Sequence, residues 1–233
     1  MRFGAGWAEG RHRGPRAMLP LFRSDGLSRF KLIGERVWLR PPTRGDYKQW
    51  VAVREASRRF LEPWEPAWGE DALERAVFRD RVARILQEWR LDLGYGFHIF
   101  RKSDDRLIGG VNLNNVRRGV AQAANLGYWM GEIYANQGYM SDAVRTLLPH
   151  AFQSLGLHRI DAACIPENRP SRHLLQKFGF HEIGEAKGYL KINGEWRDHL
   201  LTSALLEDVM ASEAMQAKPA RDGDFRKLLD RIV

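Results

Sequence analysis

The sequence predicts one mixed α/β domain, a sheet with helices packed on it, and three observations carry that expectation. Strand-like and helix-like segments run in the order strand, two helices, three strands, helix, strand, helix, two strands. A bare polar loop, YANQGYMSDAV (residues 134–144), joins the strand-like Asn125-Leu126-Gly127-Tyr128-Trp129-Met130 to a helix-like run. Near the end, Asn193-Gly194 stands between two strand-like runs, where a two-residue type I′ hairpin turn needs those residue types.

Taken in order, Arg36-Val37-Trp38-Leu39-Arg40 alternates as a strand and is stopped by Pro41-Pro42. Thr43 then caps a helix running to Ser57, with Asp46 as the acid of a capping box. Pro63 and Pro66 break the chain. Residues 71–91 read as a long amphipathic helix, with Leu73, Val77, Val82, Ile85, Leu86 and Trp89 on its apolar face. Strands are expected at 96–101, 107–114 and 123–130, turned at Asp104-Asp105 and at Arg117-Arg118-Gly119. The next helix spans 138–154. Pro149 inside it removes the bond to Arg145, so a kink is expected there. A strand at 159–165 precedes a short helix at 168–178, capped by Asn168 and ended by Gly179. Runs 180–192 and 195–206 form the closing hairpin.

At 233 residues the chain suits one domain with tails. The expected division is a basic arm at 1–31, a domain at 32–208 and a polar tail at 209–233, with 225–232 a short helix candidate. Met18 is a second candidate start, which would leave residues 1–17 out of the native chain. The net charge of +8 invites a nucleic-acid reading, but its distribution does not support one for the body. Residues 1–31 hold seven basic and two acidic residues, and 211–233 hold five and four, which leaves +2 for 32–210. The excess lives in the arm, which could touch RNA or anionic lipid or be a solvated tail. The single cysteine, Cys164, excludes an internal disulfide and fits a reducing, cytoplasmic compartment. No apolar run approaches the roughly 18 residues of a membrane span. Seven histidines show no metal-ligand spacing, so no metal is expected.

Two constellations carry chemistry. In Asn136-Gln137-Gly138-Tyr139-Met140, glycine at a helix N-terminus brings unsatisfied N–H groups and a partial positive charge close to any anion. The same glycine is explained equally by a turn. In Asn168-Arg169-Pro170-Ser171, followed by Leu174-Leu175-Gln176-Lys177-Phe178-Gly179-Phe180, capping explains Asn168 and Gly179 but not Ser171.

These two constellations, the strand ending His158-Arg159-Ile160 between them, and the run HRIDAACIPENRPSRHLLQKFGFHEIGEAKGYLKINGEWRDHLLTSAL resemble the GNAT acetyltransferase superfamily. Within it they resemble most the RimJ-like ribosomal-protein-alanine N-acetyltransferases. The resemblance covers residues 32–208 and is most specific over 126–206. It implies the GNAT fold, a mixed, mostly antiparallel central sheet of about seven strands with flanking helices. It implies acetyl-CoA as co-substrate, no metal, and a protein N-terminus as acceptor, with a ribosomal protein the first candidate. One departure stands out. The superfamily loop places Gln or Arg where this chain has Ala135, and a small residue where it has Met140. The side-chain part of phosphate binding is thereby in question, and the backbone part is not.

The resemblance also assigns roles. Tyr128, Trp129 and Met130 would flank the thioester, whose oxygen would meet a backbone N–H near a bulge in that strand. Asn136, Gln137, Gly138, Tyr139 and Met140 would hold the pyrophosphate, and Asn168 the pantetheine arm. Ser171 would hydrogen-bond the sulfur, with Tyr189 a second donor. Glu132, at the strand end, is the first candidate base, ahead of His98 and Glu167. An α-amino group titrates near 8, so a weak base or a water chain suffices at neutral pH. Two alternatives stay open: acetylation of a small amine, and a non-catalytic module that senses CoA or docks on the ribosome. Trp64, Trp68 and Trp89 line a peptide groove or simply pack. Cys164 reads as a small core residue.

Overall fold

The computed structural model describes Leu27 and residues 29–216, and its strands join in one sheet. β1 (Leu32–Ile33) and β2 (Val37–Arg40) open the chain. Helices α1 (Tyr47–Ala56), α2 (Arg58–Leu61) and α3 (Arg75–Leu91) follow. β3 (Tyr95–Arg101), β4 (Arg106–Arg117) and β5 (Ala123–Met130) form a meander. After them come α4 (Tyr139–Pro149), β6 (Arg159–Cys164), α5 (Arg169–Lys177), β7 (His181–Ile192), β8 (Glu195–Leu205), α6 (Leu206–Ala211) and α7 (Glu213–Gln216). The sheet has eight strands in the order β1-β2-β3-β4-β5-β6-β8-β7. The strand beyond the expected seven is two-residue β1, too short to leave a pattern in sequence.

Most local expectations reappear with their causes. The Thr43 N–H and hydroxyl donate to the Asp46 carboxylate at 2.8 and 3.0 Å, across the 3-10 turn Arg44–Asp46 that opens α1. Asn168 accepts from the Ser171 N–H at 3.1 Å, and Gly179 ends α5 with φ +77°. Asn193 and Gly194 have φ of +45° and +86°, as a type I′ turn demands. At Pro149 the helix does not simply bend: His150–Ser154 continues it as a π-helical turn, which absorbs the missing N–H.

Three readings are corrected. The long helix begins at Arg75, not 71, because Glu74 caps it in an extended conformation. Val82 and Trp89 are buried and Leu73, Ile85 and Leu86 pack against the core as expected, but Phe78 takes the place expected of Val77, which is exposed. The packed body is also wider than 32–208. Leu27 is buried, Phe30 meets Trp89 edge-on at 5.4 Å, and Val209 and Ala214 are buried on α6 and α7. The rest of the arm and tail, including 225–232, lies outside the described residues.

One sheet feature positions everything that follows. Among the described residues, β5 and β6 are the parallel pair, and they are in register only from Ala123↔Arg159 to Leu126↔Ala162. β5 stays paired with β4 as far as Met130↔Gly109, and β6 with β8 as far as Cys164↔Leu200. The two strands therefore splay beyond Leu126. The backbone of 127–130 keeps a free edge, with unpaired N–H and C=O groups facing the gap.

Candidate active site

The splayed end of β5 supplies the centre. Successive strand residues point to opposite faces, so Tyr128 and Trp129 diverge. The Tyr128 hydroxyl lies 2.8 Å from Ser171 Oγ, in the first turn of α5, and this bond spans the gap between the splayed strands. Burial pushes the Tyr128 phenol well above its ordinary range. Burial raises the Cys164 thiol, and the neighbouring Ser171 hydroxyl acts against that rise. Asn168 holds the Ser171 backbone, so Ser171 is fixed through both its main chain and its side chain.

Trp129 turns to the other face and lies against Gly110. A β-carbon on Gly110 would come within 2.4 Å of Trp129 Nε1, so glycine is required for the indole to lie there. The Arg54 guanidinium sits 4.9 Å from the Trp129 ring and 4.2 Å from the Trp68 ring. Glu65 takes Arg54 in a two-pronged pair at 2.7 and 2.6 Å and also accepts from Trp68 Nε1 at 3.0 Å. The Asn193 N–H donates to the Glu65 carbonyl at 2.8 Å, tying the β7–β8 turn to the loop after α2. Trp64 is half exposed nearby in sequence, whereas Trp89 is a core residue with its N–H on the Gly96 carbonyl at 3.0 Å.

The loop before α4 turns on two left-handed residues, Asn136 at φ +57° and Gly138 at φ +81°. No side chain caps α4, so its leading N–H groups remain available at the positive end of the helix. Space at Gly138 is open: the nearest atom to a β-carbon there would be Arg36 Nη1, at 3.6 Å. Arg36 donates to the Gln137 carbonyl at 2.7 Å and stands 4.2 Å from the Tyr139 ring. The Arg101 and Arg36 guanidiniums hold the Tyr139 phenol below its ordinary range. Both arginines bring positive charge near the loop, with Arg101 also paired to Asp104. No motif announced them, because both come from stretches distant in sequence, Arg36 from the bend just before β2 and Arg101 from the end of β3. The Asp142 carboxylate, in the first turn of α4, accepts from the N–H groups of Glu35, Arg36 and Val37 at 3.2, 2.7 and 2.9 Å, which locks the start of β2 to the helix.

The structure thus brings together Tyr128, Asn168 and Ser171, and it sets Asn136, Gln137, Gly138 and Tyr139 at the uncapped helix end, with Met140 half-buried against the core. Others stand apart. Tyr189 is half exposed, its ring 5.7 Å from His199, with no hydrogen bond to Ser171 among the described residues. Glu132 is exposed, and its N–H donates to Ser57 Oγ at 2.9 Å. The expected bulge at 128–130 is absent. Register with β4 is regular from Met130 to Asn125, and the free edge arises from the splay instead. His98 is buried, with Nδ1 2.9 Å from Asp46. Burial opposes ionisation of Asp46, yet hydrogen bonds from His98 and Arg40 outweigh it and keep the carboxyl far below its usual range. Glu167 is exposed and pairs with Arg197 at 3.4 Å. Among the described residues no cluster of three metal-ligating side chains occurs, and no helix is long and apolar enough to cross a membrane.

Comparison with known proteins places this geometry. The model of the acetyltransferase (GNAT) domain matches residues 36–181. A probable N-acetyltransferase of Bacillus subtilis, YjcK, is 36% identical over 177 residues, covering 76% of this chain and 98% of its own. The [ribosomal protein uS5]-alanine N-acetyltransferase of Escherichia coli is 34% identical over 152 residues, covering 65% of this chain and 78% of its own. The structure of Mycobacterium smegmatis RimJ in complex with CoA-disulfide superposes with a TM-score of 0.72 at 35% identity, over 76% of this chain and 86% of that one. Splayed strands, an uncapped helix after a glycine loop, and a family match across all of them make one conclusion: the chain is an acyltransferase belonging to the GNAT acetyltransferase family.

Proposed function

We propose that the chain transfers the acetyl group of acetyl-CoA to the N-terminal amine of a protein, with a ribosomal protein beginning in alanine as the first candidate. The observation that carries this reading is the Tyr128–Ser171 bond beside the free edge of 127–130. A thioester lying along the strand would have this hydroxyl beside it as a donor. The relative named for uS5 alanine and the CoA-bound neighbour support acceptor and co-substrate.

Acetyl-CoA supplies an acyl group already activated as a thioester. The residues here fit it. The N–H groups leading α4, with Arg36 beside Gly138, suit a pyrophosphate. The unpaired backbone of 127–130 suits the amides of a pantetheine arm, with Asn168 at its side. A backbone N–H on that edge can donate to the carbonyl oxygen as charge develops there. Ser171 donates to the sulfur, and Tyr189 is a second donor that must approach from the hairpin. Glu132 takes the amine proton through water, since its carboxylate is exposed at the end of β5. The acceptor enters on the Trp129 side, walled by Arg54, Glu65 and Trp68.

The arm of residues 1–31, at +5, would add weak contact with the ribosome or its RNA, and the site of action is the cytoplasm. CoA release from acetyl-CoA tests the assignment, using peptides that begin Ala, Ser, Met or Pro, alongside spermidine and free amino acids. Release with one peptide class is the expected result. Release only with small amines would replace the acceptor, and absence of CoA binding by calorimetry would overturn the whole reading.

A further inference from the structure

We propose that Tyr128 is a positioning residue for the leaving group: its phenol donates to Ser171 Oγ, which turns the Ser171 proton toward the CoA sulfur. The inference rests on the proposed function and goes beyond it, since that reading gives the Tyr128 side chain no part in aiming the Ser171 proton.

The argument begins with a free rotor. A serine hydroxyl has one proton and two lone pairs, and alone it samples several donor directions. The side-chain hydrogen-bond partner of Ser171 among the described residues is the Tyr128 phenol at 2.8 Å, and the Cys164 thiol is near enough to feel the hydroxyl. If Ser171 donated to either, no proton would remain for a third partner. A phenol is a stronger acid than an alkanol, and so the better donor of the pair. The Tyr128 hydroxyl has no other hydrogen-bond partner among the described residues, so donating to Ser171 satisfies it as well. The Cys164 thiol is kept neutral by burial, so it places no competing anion beside Ser171.

Burial also decides what Tyr128 does not do. Its phenol is held far above the range of a CoA thiol, so handing its proton through Ser171 to a thiolate would run uphill. Tyr128 keeps its proton throughout, and the departing sulfur leaves as a hydrogen-bonded thiolate that later takes a proton from solvent. Proton balance is kept, because the amine nitrogen gives its proton to the base or to water. The geometry supports a fixed donor: Ser171 is held by Asn168 through its N–H and by Tyr128 through its oxygen, one from each side of the splay.

The experiment uses the full chain and variants Tyr128→Phe, Ser171→Ala and the double variant. Thermal melts first establish that each is folded. The readout independent of turnover is the ionisation of CoA bound to each protein, followed by thiolate absorbance near 240 nm against the CoA-free protein. In the wild type the bound thiol should titrate below free CoA. In Tyr128→Phe it should move back up by roughly 0.5–1 pH unit. In turnover, Tyr128→Phe should lower kcat about tenfold with KM for acetyl-CoA within about twofold. The double variant should match Ser171→Ala, because Tyr128 acts only through Ser171. Unchanged thiol ionisation in Tyr128→Phe, or a Tyr128→Phe effect that persists in the Ser171→Ala background, overturns the proposal and leaves the function standing. If CoA fails to bind the wild type, the proposed function falls first and the proposal with it.

Discussion

His150 makes the sharpest test of the packing around α4. It opens the π-helical turn after Pro149, is 7% exposed, and has no hydrogen-bond partner for its buried Nε2. The Phe30 ring lies 5.2 Å away, so its surroundings are aromatic. Burial alone pushes its pKa from the ordinary 6.5 down to about 4. A proton therefore binds the unfolded chain more tightly than the folded one. The associated stability is fully present above pH 6.5, falls as pH drops from 6.5 to about 4, and levels off below. At about 1.4 kcal/mol per pH unit the whole interval is worth roughly 3 kcal/mol, and the part between pH 7 and pH 5 roughly 2 kcal/mol. The perturbation is His150→Phe, which keeps a ring and removes the titration. Urea unfolding at pH 7, 6 and 5 should show wild-type stability falling about 2 kcal/mol further than that of the variant. Comparing slopes cancels any change in packing that the substitution itself introduces. Parallel curves for the two proteins would refute the reasoning, since they would mean the native ring is already open to protons.

Gly138→Val should weaken CoA by about tenfold or more in calorimetry, because φ +81° is hostile to a branched residue and the loop must shift. The melting temperature should fall only a few degrees. Asp142→Ala removes one acceptor from three backbone donors, and should cost about 3 kcal/mol, a drop in Tm of roughly 6–12 °C by calorimetric scan. Ser171→Ala and Tyr189→Phe should each lower kcat more than they weaken CoA binding, with the larger effect at Ser171; steady-state kinetics with unchanged turnover in both would remove the thiolate-donor assignment.

What was legible in the sequence is what the backbone dictates locally. Gly138, Gly179, Asn168 and the Asn193-Gly194 turn announce themselves because caps and left-handed positions accept few residue types. Ser171 stood out because capping left it unexplained. The α3 face was read one residue out, at Val77 instead of Phe78, because apolar side chains on both fit a helical period and only tertiary contact with Trp50, at 4.8 Å from Phe78, chooses between them. Arg36 beside Gly138, Glu65 on Arg54 and Tyr128 on Ser171 were out of reach for a different reason. Each joins groups far apart in the chain, and pairing of that kind has no period and no spacing. The missing bulge is instructive too: a free strand edge can be made by ending one ladder early, which a single strand's sequence does not record.

The bond from the Asn193 N–H to the Glu65 carbonyl divides labour within the molecule. The loop after α2 and the β7–β8 turn, 128 positions apart, meet there as two halves of one rim. Among the described residues no hydrogen bond or ion pair joins either half to the glycine loop or to Ser171. Under the proposed function, acceptor choice and cofactor capture would draw on separate stretches of chain. Replacing the two rim segments together would change which amine is presented while leaving the acyl donor held as before; replacing one alone would break the rim before it changed its taste.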